Sequence, residues 1–513
     1  MKVILDWDKK YKKGIIVSDF LDVIREHFSI KNPNARVLQR IIGFHAPLRQ
    51  YAITNNGRFE FGLYFDIIRF LKTQNLTCEI ITTDILKELL CSNFNLKNNE
   101  IKKLSLPLRY YQENAVQKCI KFGYGNIIVG TAGGKTLLMA SLIETIRNNS
   151  SKLFTTLLIL PAHLVEQTYK DFINYGIPKE KISQWSGDHK FEKQDIIIVS
   201  SKTLESCLVT FKNLKLSFNT EIEAFKDKEK ERMKKWKCER TKYLQLLNNV
   251  DLLLIDECHT LRKNNKINKI LNFFPTQHKF GFTGTMPESL LDQWNIIGKI
   301  GPILEDVSSY KLREEGFISK AHSTILQITY KNPINSDIDF KKPTEAYKQE
   351  CNFIFENEYR NKIISYFAEK FDNNILILVN QLKHGEILLE LLKKNIPQKG
   401  IFFVRGSMIT EERENIRQLM ENVDNVVCIA MSKIFSTGIN ITNIHCIIFA
   451  LAGKAKIRML QSIGRGLRLH EKKDTLEIID IVDNLRYSLL HFNRRMMYYD
   501  KEKINYETKL LSE

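Results

Sequence analysis

The sequence predicts an α/β protein: two doubly wound parallel-sheet domains with a small α+β domain in front. Two series of short, unbroken apolar runs predict this, together with a glycine-rich turn set between a strand and a helix. The first series is Asn126–Val129, Thr156–Leu160, Asp195–Val199 and Leu252–Ile255. The second is Ile375–Val379, Gly400–Val404, Val426–Ile429, Cys446–Ala450 and Leu476–Ile481. Strands apolar along their whole length, not at every second position, are buried on both faces, as in a parallel sheet covered by helices. Helical patterns follow the runs, the order expected of doubly wound domains.

The length, 513 residues, exceeds what a single core usually supports, so several domains are expected. The seam between the two strand series is placed near Gly301–Ile318. This gives domains at 96–302 and 303–485, with a small unit at 1–95 and a C-terminal helical tail at 486–513.

Within the small unit, Ile15–Val17 reads as a strand, and Asp19 is placed to cap a helix running to Phe28. Arg36, Arg40 and Arg49 are expected in a loop-and-strand region, suited to duplex phosphates. Phe59–Phe61 with Gly62 leads into a helix over Leu63–Leu71, and Cys78–Thr82 is strand-like. Phe44, Tyr51 and Phe59 suit either base stacking or the core. The polar stretch Asn93–Lys103 reads as a linker. Further on, the mixed-charge run Lys226–Arg240 reads as an exposed helix or an insertion, with nucleic-acid contact as the alternative.

The formal net charge is +18. Such an excess favours polyanionic partners, because each phosphate contact releases counterions. Nine cysteines occur with no Cys-x-x-Cys pair, the pattern of reduced thiols and not of a disulfide frame or zinc site. The basic start at Met1–Lys13 lacks the apolar core of a signal peptide. No apolar run reaches the roughly 20 residues that span a bilayer. A cytoplasmic protein with no membrane partner is expected.

Three segments carry chemistry. Val129-Gly-Thr131-Ala-Gly133-Gly134-Lys135-Thr136 follows a strand and opens a helix, the setting of a phosphate loop. Its glycines let backbone N–H groups approach phosphates, Lys135 reaches the β and γ phosphates, and Thr136 can hold Mg²⁺. The helix N-terminus adds a positive field. Val129 stands where glycine or alanine is usual. The second segment is Leu252-Leu-Leu-Ile-Asp256-Glu257-Cys258-His259. A strand ending in two carboxylates places them at the sheet's carboxyl edge, where ligands bind. Asp256 is the candidate metal ligand, and Glu257 the candidate base for the attacking water. The third is Gln461-Ser-Ile-Gly464-Arg465-Gly-Leu-Arg468, whose two arginines share a face if helical. Arg465 and Arg468 can serve as arginine fingers.

In this order the segments resemble the motifs of superfamily-two helicases with a DExH box, over residues 104 to 485. Arg109-Tyr-Tyr-Gln112 is similar to the family's adenine-reading segment. Leu160-Pro161-Ala-His163 and Ser200-Ser201-Lys202-Thr203 resemble its strand-contacting motifs. Thr283-Gly-Thr285 resembles the segment that couples hydrolysis to movement. Val379-Asn380, Arg405-Gly406-Ser407 and Ser436-Thr437-Gly438-Ile-Asn440 resemble contacts made by the second domain. Within the superfamily, the small N-terminal unit and the Ile434-Phe435-Ser436-Thr437-Gly438 wording resemble the UvsW-type recombination and repair helicases of tailed phages.

The resemblance implies two RecA-like domains using ATP and Mg²⁺, with Arg109, Gln112 and Gly438 joining the phosphate loop in nucleotide binding. Pro161, Ser201, Thr203, Asn380, Gly406 and Thr437 are implied to hold a strand by its backbone, without sequence code. His259 and Thr283 are implied to link the ATP site to that strand. The implied track is DNA, branched as in Holliday junctions, stalled forks and R-loops, with a single-strand-binding protein or recombinase as possible partner. An RNA or RNA–DNA hybrid helicase, a translocase subunit of a restriction system, and a non-catalytic nucleic-acid binder with a decayed ATP site stay open.

Overall fold

The computed structural model describes residues 2–74, 78–91, 94, 96–152, 154–187, 189, 191–208, 222–262, 265–334, 342–406, 408, 410–432, 441–451, 463–464, 466–467, 469–471 and 473–513. It divides into two compact units, Met1–Val129 with Gly134–Asp306, and Gly130–Gly133 with Val307–Glu513.

The amino-terminal region has a sheet of its own. Its strands are β1 (Lys2–Asp8), β2 (Lys13–Ser18), β5 (Arg58–Phe59) and β6 (Glu79–Thr82), while β3 (Ser29–Lys31) and β4 (Arg49–Tyr51) form a separate two-stranded ribbon. The sheet order is β5-β2-β1-β6, with β1 antiparallel to β2 and parallel to β6. This is the small α+β region expected. Two local expectations fail. Helix Leu21–His27 is preceded by Phe20 and receives no side-chain cap, so Asp19 does not cap it; Ser18 Oγ accepts from Phe20 N–H instead, closing a local turn. Arg36 and Arg40 lie on a helix, Ala35–Ile42, and not in a loop-and-strand region. Its Arg, Leu and Gln residues favour helix, and Gly43, with φ of 64°, ends it. Phe59 is a core residue, Tyr51 lies half-buried beneath the Arg25 guanidinium, and the Phe44 side chain is outside those described.

This region is not free-standing: it belongs to the same compact unit as the first large sheet. Phe28 packs at 5.4 Å against Trp294, and Phe61 at 5.3 Å against Tyr124, both pairs with tilted rings. Glu60 pairs with Lys299 at 2.9 Å and Lys13 at 3.0 Å. Gly62 allows the closest approach. A Cβ there would lie 1.9 Å from the Ile297 carbonyl oxygen and 2.9 Å from Gly301 Cα, both backbone atoms that cannot swing aside. Gly62→Ala is therefore expected to cost about 1–3 kcal/mol through overpacking, read as a lower midpoint in thermal or urea unfolding. An unchanged midpoint would mean that this contact does not hold the region in place.

The first large sheet contains β7 (Gly125–Val129), β8 (Thr156–Leu160), β9 (Ile182–Trp185), β10 (Ile196–Ser200), β11 (Leu252–Asp256), β12 (Lys279–Thr283) and β13 (Ile303–Val307). It is all-parallel, in the order β13-β7-β12-β11-β8-β10-β9. Leu252, Leu253 and Leu254 are each fully buried, and each such side chain contributes about 1.5–3 kcal/mol. The charged run at 226–240 falls on one helix, Ile222–Leu247, whose Tyr243 and Leu244 pack on this core.

The second large sheet contains β14 (Lys320–Thr329), β15 (Ile375–Val379), β16 (Gly400–Val404), β17 (Val426–Met431), β18 (Cys446–Phe449), β19 (Thr475–Asp483) and β20 (Asn505–Ser512). It too is all-parallel, in the order β16-β17-β15-β18-β19-β14-β20. The expected helical tail is a helix only over Arg486–Lys501; the chain then returns as β20, which adds to the sheet beside β14. The fold is thus two RecA-like parallel-sheet domains with a small α+β region in front.

Candidate active site

In an all-parallel sheet every strand delivers the residue after it to the same edge. Five such deliveries meet at the carboxyl edge of the first large sheet: the loop after β7, Pro161 after β8, Ser201 after β10, Glu257 after β11 and Thr283 at the end of β12. Topology alone therefore gathers segments spread over most of the domain's sequence.

The loop after β7 has the backbone of an anion cradle. Val129, the odd residue of the motif, is the last residue of β7 and wholly buried, so it fills the core and leaves the loop to begin at Gly130. Ala132 and Gly134 both adopt left-handed backbone, φ of 67° and 76°. Turns of this kind aim successive N–H groups into one concavity. Gly134 then caps the helix Lys135–Asn149, so Lys135 and Thr136 occupy its first turn, where the helix dipole favours anions.

Gln112 braces this loop. It is 2% exposed. Its Oε1 accepts from Arg109 N–H at 2.8 Å, and its Nε2 donates to the Gly134 carbonyl at 3.2 Å. A Cβ on Gly134 would stand 2.4 Å from that Nε2. The amide thus ties the start of helix Tyr110–Phe122 to the loop, a link between two motifs that spacing does not reveal.

The carboxylates follow β11. Asp256 is 9% exposed. Burial first, and then the Glu257 charge, push its pKa up to about 7, while the Lys135 ammonium pulls it down. A buried carboxylate in that position is eased by a cation. Thr136, in the first turn of helix Lys135–Asn149, offers a hydroxyl oxygen, the hard donor type that Mg²⁺ takes. Glu257 has left-handed backbone, φ of 50°, which is strained for a non-glycine residue. The turn redirects the chain, so Glu257 is only partly buried while Asp256 stays in the sheet.

His259 and Thr283 bear directly on Glu257. His259 Nδ1 lies 3.0 Å from Glu257 Oε2 and 2.9 Å from Thr283 Oγ1. Thr283 gives its one hydroxyl proton to the Thr285 carbonyl at 3.0 Å, so its oxygen accepts from the imidazole. Both neighbours of Nδ1 are acceptors, which places the ring proton there. Glu257, His259, Thr283 and Thr285 are thereby one chain of hydrogen bonds across the ends of β11 and β12.

The other expected residues separate into three groups. Pro161, Ser201 and Thr203 lie at the same sheet edge. Thr203 is partly committed inward, however: its hydroxyl lies 2.7 Å from Ser200 Oγ, and Ser200 caps the helix Ser201–Leu208 by accepting from Thr203 N–H. Lys202, in the same segment, is exposed beside them. Asn380 and Gly406 follow β15 and β16 at the carboxyl edge of the second sheet. Asn380 Oδ1 accepts from Ser432 Oγ at 2.6 Å, and the Gly406 carbonyl from Arg413 at 3.3 Å. Thr437, Gly438, Arg465 and Arg468 lie outside the described residues.

Comparison with known proteins fits this geometry. Residues 105–288 match the family described as type III restriction enzyme, res subunit, and residues 358–470 match the helicase conserved C-terminal domain. The chain is 24% identical over 509 residues to the ATP-dependent DNA helicase UvsW of Enterobacteria phage T4, covering 89% of this chain and 92% of that one. It is 24% identical over 401 residues to the putative ATP-dependent helicase IRC3 of Saccharomyces cerevisiae, covering 73% and 51%. A fragment structure of a putative HsdR subunit of a type I restriction enzyme from Vibrio vulnificus superposes with a TM-score of 0.55 at 17% identity, over 84% of this chain and 75% of that one, a likeness of fold. With a nucleotide-binding domain of the first family followed by a helicase C-terminal domain, this chain belongs to the superfamily-two helicases and is an ATP-dependent helicase.

Proposed function

We propose that this helicase is a DNA motor that unwinds or branch-migrates branched DNA, such as Holliday junctions, stalled forks and R-loops, in the cytoplasm of a phage-infected cell. The hydrogen-bonded chain Glu257–His259–Thr283–Thr285 carries the reading as a motor, because it connects the hydrolytic base to the sheet edge where the strand-contacting segments emerge. The DNA track is supported by the likeness to a DNA helicase along nearly the whole of both chains and by the net charge of +18.

In this reading Lys135 binds the β and γ phosphates, and Thr131, Gly133 and Gly134 offer backbone N–H groups. Arg109 and Gln112 serve the adenine side, and Gly438 adjoins the nucleotide. Thr136 and Asp256 would hold Mg²⁺, which neutralises charge developing on the phosphates when bound. Glu257 orients and deprotonates the attacking water. Arg465 and Arg468 stabilise the transition state as arginine fingers. Pro161, Ser201, Thr203, Asn380, Gly406 and Thr437 grip the strand backbone, so structure, not sequence, selects the substrate. A single-strand-binding protein or recombinase is the partner class such a reaction would meet.

Thr283 is a positioning residue here. Thr283→Ala is expected to remove about 1–2 kcal/mol of coupling between nucleic-acid binding and hydrolysis. Basal ATPase should persist, stimulation by a strand should fall, and Thr283→Ser should restore it. Equal loss of basal and stimulated activity would make Thr283 a packing residue only.

The reading as a whole is tested by unwinding on single-tailed forks, four-way junctions and RNA–DNA hybrids at matched concentration. Faster processing of forks and junctions is expected. Preference for the hybrid or for RNA would favour the RNA reading.

A further inference from the structure

One part of the amino-terminal region projects beyond its core. The chain leaves on β3, forms the helix Ala35–Ile42 and a short turn, and returns on β4. This helix has no buried residue. Val37 is 56% exposed, Ile41 72% and Ile42 48%, and Leu48 after the turn is 62% exposed. Large apolar side chains set together in water are costly and mark a contact surface. From Ser29 to Tyr51 there is no acidic residue, whereas Lys31, Arg36, Arg40 and Arg49 are basic. Arg49 is spent on Glu26 at 2.9 Å. Arg36 and Arg40, four positions apart and so on one face, have no carboxylate partner among the described residues.

The base of the excursion is fastened. Asn32 is 6% exposed. Its N–H donates to the Leu48 carbonyl at 2.8 Å and its Nδ2 to the Pro47 carbonyl at 2.7 Å, while its Oδ1 accepts from Gln50 Nε2 at 3.0 Å. One side chain therefore joins the outgoing and returning strands. The result is an apolar, basic tip on a braced stalk.

We propose that this tip is the strand-separating element: Val37, Ile41 and Ile42 insert at the branch point of a DNA junction, and Arg36 and Arg40 hold the flanking phosphates. Apolar side chains beside arginines are the chemistry with which proteins unstack a base step while gripping the backbone. The absence of any carboxylate across the excursion favours a polyanion over a protein surface of mixed charge. The inference rests on DNA being the track.

The test uses the full chain with two variants: Val37→Ser/Ile41→Ser/Ile42→Ser, and Arg36→Gln/Arg40→Gln. All five side chains are exposed, so unfolding midpoints should stay unchanged. The serine variant should keep single-strand-stimulated ATPase and fork affinity. It should lose fork unwinding by about tenfold or more, and with it the fluorescence rise of 2-aminopurine placed at the branch. The glutamine variant should lower the slope of log affinity against log salt on forks by about 2. Wild-type unwinding by the serine variant overturns the proposal, and so does a parallel fall of its single-strand-stimulated ATPase. A change in that variant's oligomeric state with normal unwinding would make the patch a self-interface and also overturn it. If the wild-type chain shows no DNA-stimulated ATPase at all, the DNA reading itself fails, a result distinguishable from failure of the tip alone.

Discussion

Replacing Lys135 by alanine is expected to reduce ATP hydrolysis by about 10²–10³-fold while nucleic-acid binding in the absence of nucleotide is largely kept. Lys135 stands in the first turn of helix Lys135–Asn149 behind a loop with left-handed backbone at Ala132 and Gly134. Its ammonium favours the charged form of the buried Asp256. Removing it takes away a charge that must be in place as negative charge redistributes over the transferring phosphoryl group, where a lost preorganised donor costs about 10²–10³ in rate. Pro161 and Ser201, the proposed strand contacts, follow other strands of the sheet, β8 and β10. Steady-state ATPase and a fork-binding titration separate the two effects. Turnover near wild type would remove the phosphate-loop assignment.

Glu257→Gln should act at a different step. The amide keeps the size of the side chain and can still face His259 Nδ1, now 3.0 Å from the carboxylate oxygen, but it cannot take a proton from water. Loss of a general base costs about 10²–10⁴ in rate. Nucleotide binding, proposed to use Lys135 and the loop, should survive. The variant should therefore accumulate a complex holding both ATP and nucleic acid, visible as retained labelled nucleotide after gel filtration. Rapid release of product from it would mean that another group activates the water.

The strands most legible in the sequence were those buried on both faces. Thr156–Leu160 and Ile375–Val379 have the ends expected of them, because a continuous apolar run has no other place in the fold. Ile303–Val307 and Asn505–Ser512 lie at sheet edges with exposed residues, and their charged side chains hid them. The motif segments of the first large sheet were legible as strand-end segments, and the structure brings them to one carboxyl edge. What spacing could not show is the bracing between motifs: the Gln112 amide held against Gly134, the left-handed turn at Glu257, and the imidazole proton shared between Glu257 and Thr283. Nor could it show that Gly62 beds the amino-terminal region against Ile297 and Gly301, so that removing residues 1–95 would strip a packed face of the first sheet's unit instead of excising an independent domain.

In the proposed mechanism, ATP hydrolysis at Lys135, Asp256 and Glu257 drives movement on DNA. Strand displacement from a DNA fork, followed with ATP hydrolysis in the same reaction, tests it most directly. DNA should raise the ATPase rate, displacement should require ATP, and Lys135→Ala should abolish both together. Hydrolysis indifferent to DNA, or displacement that persists in Lys135→Ala, would contradict it.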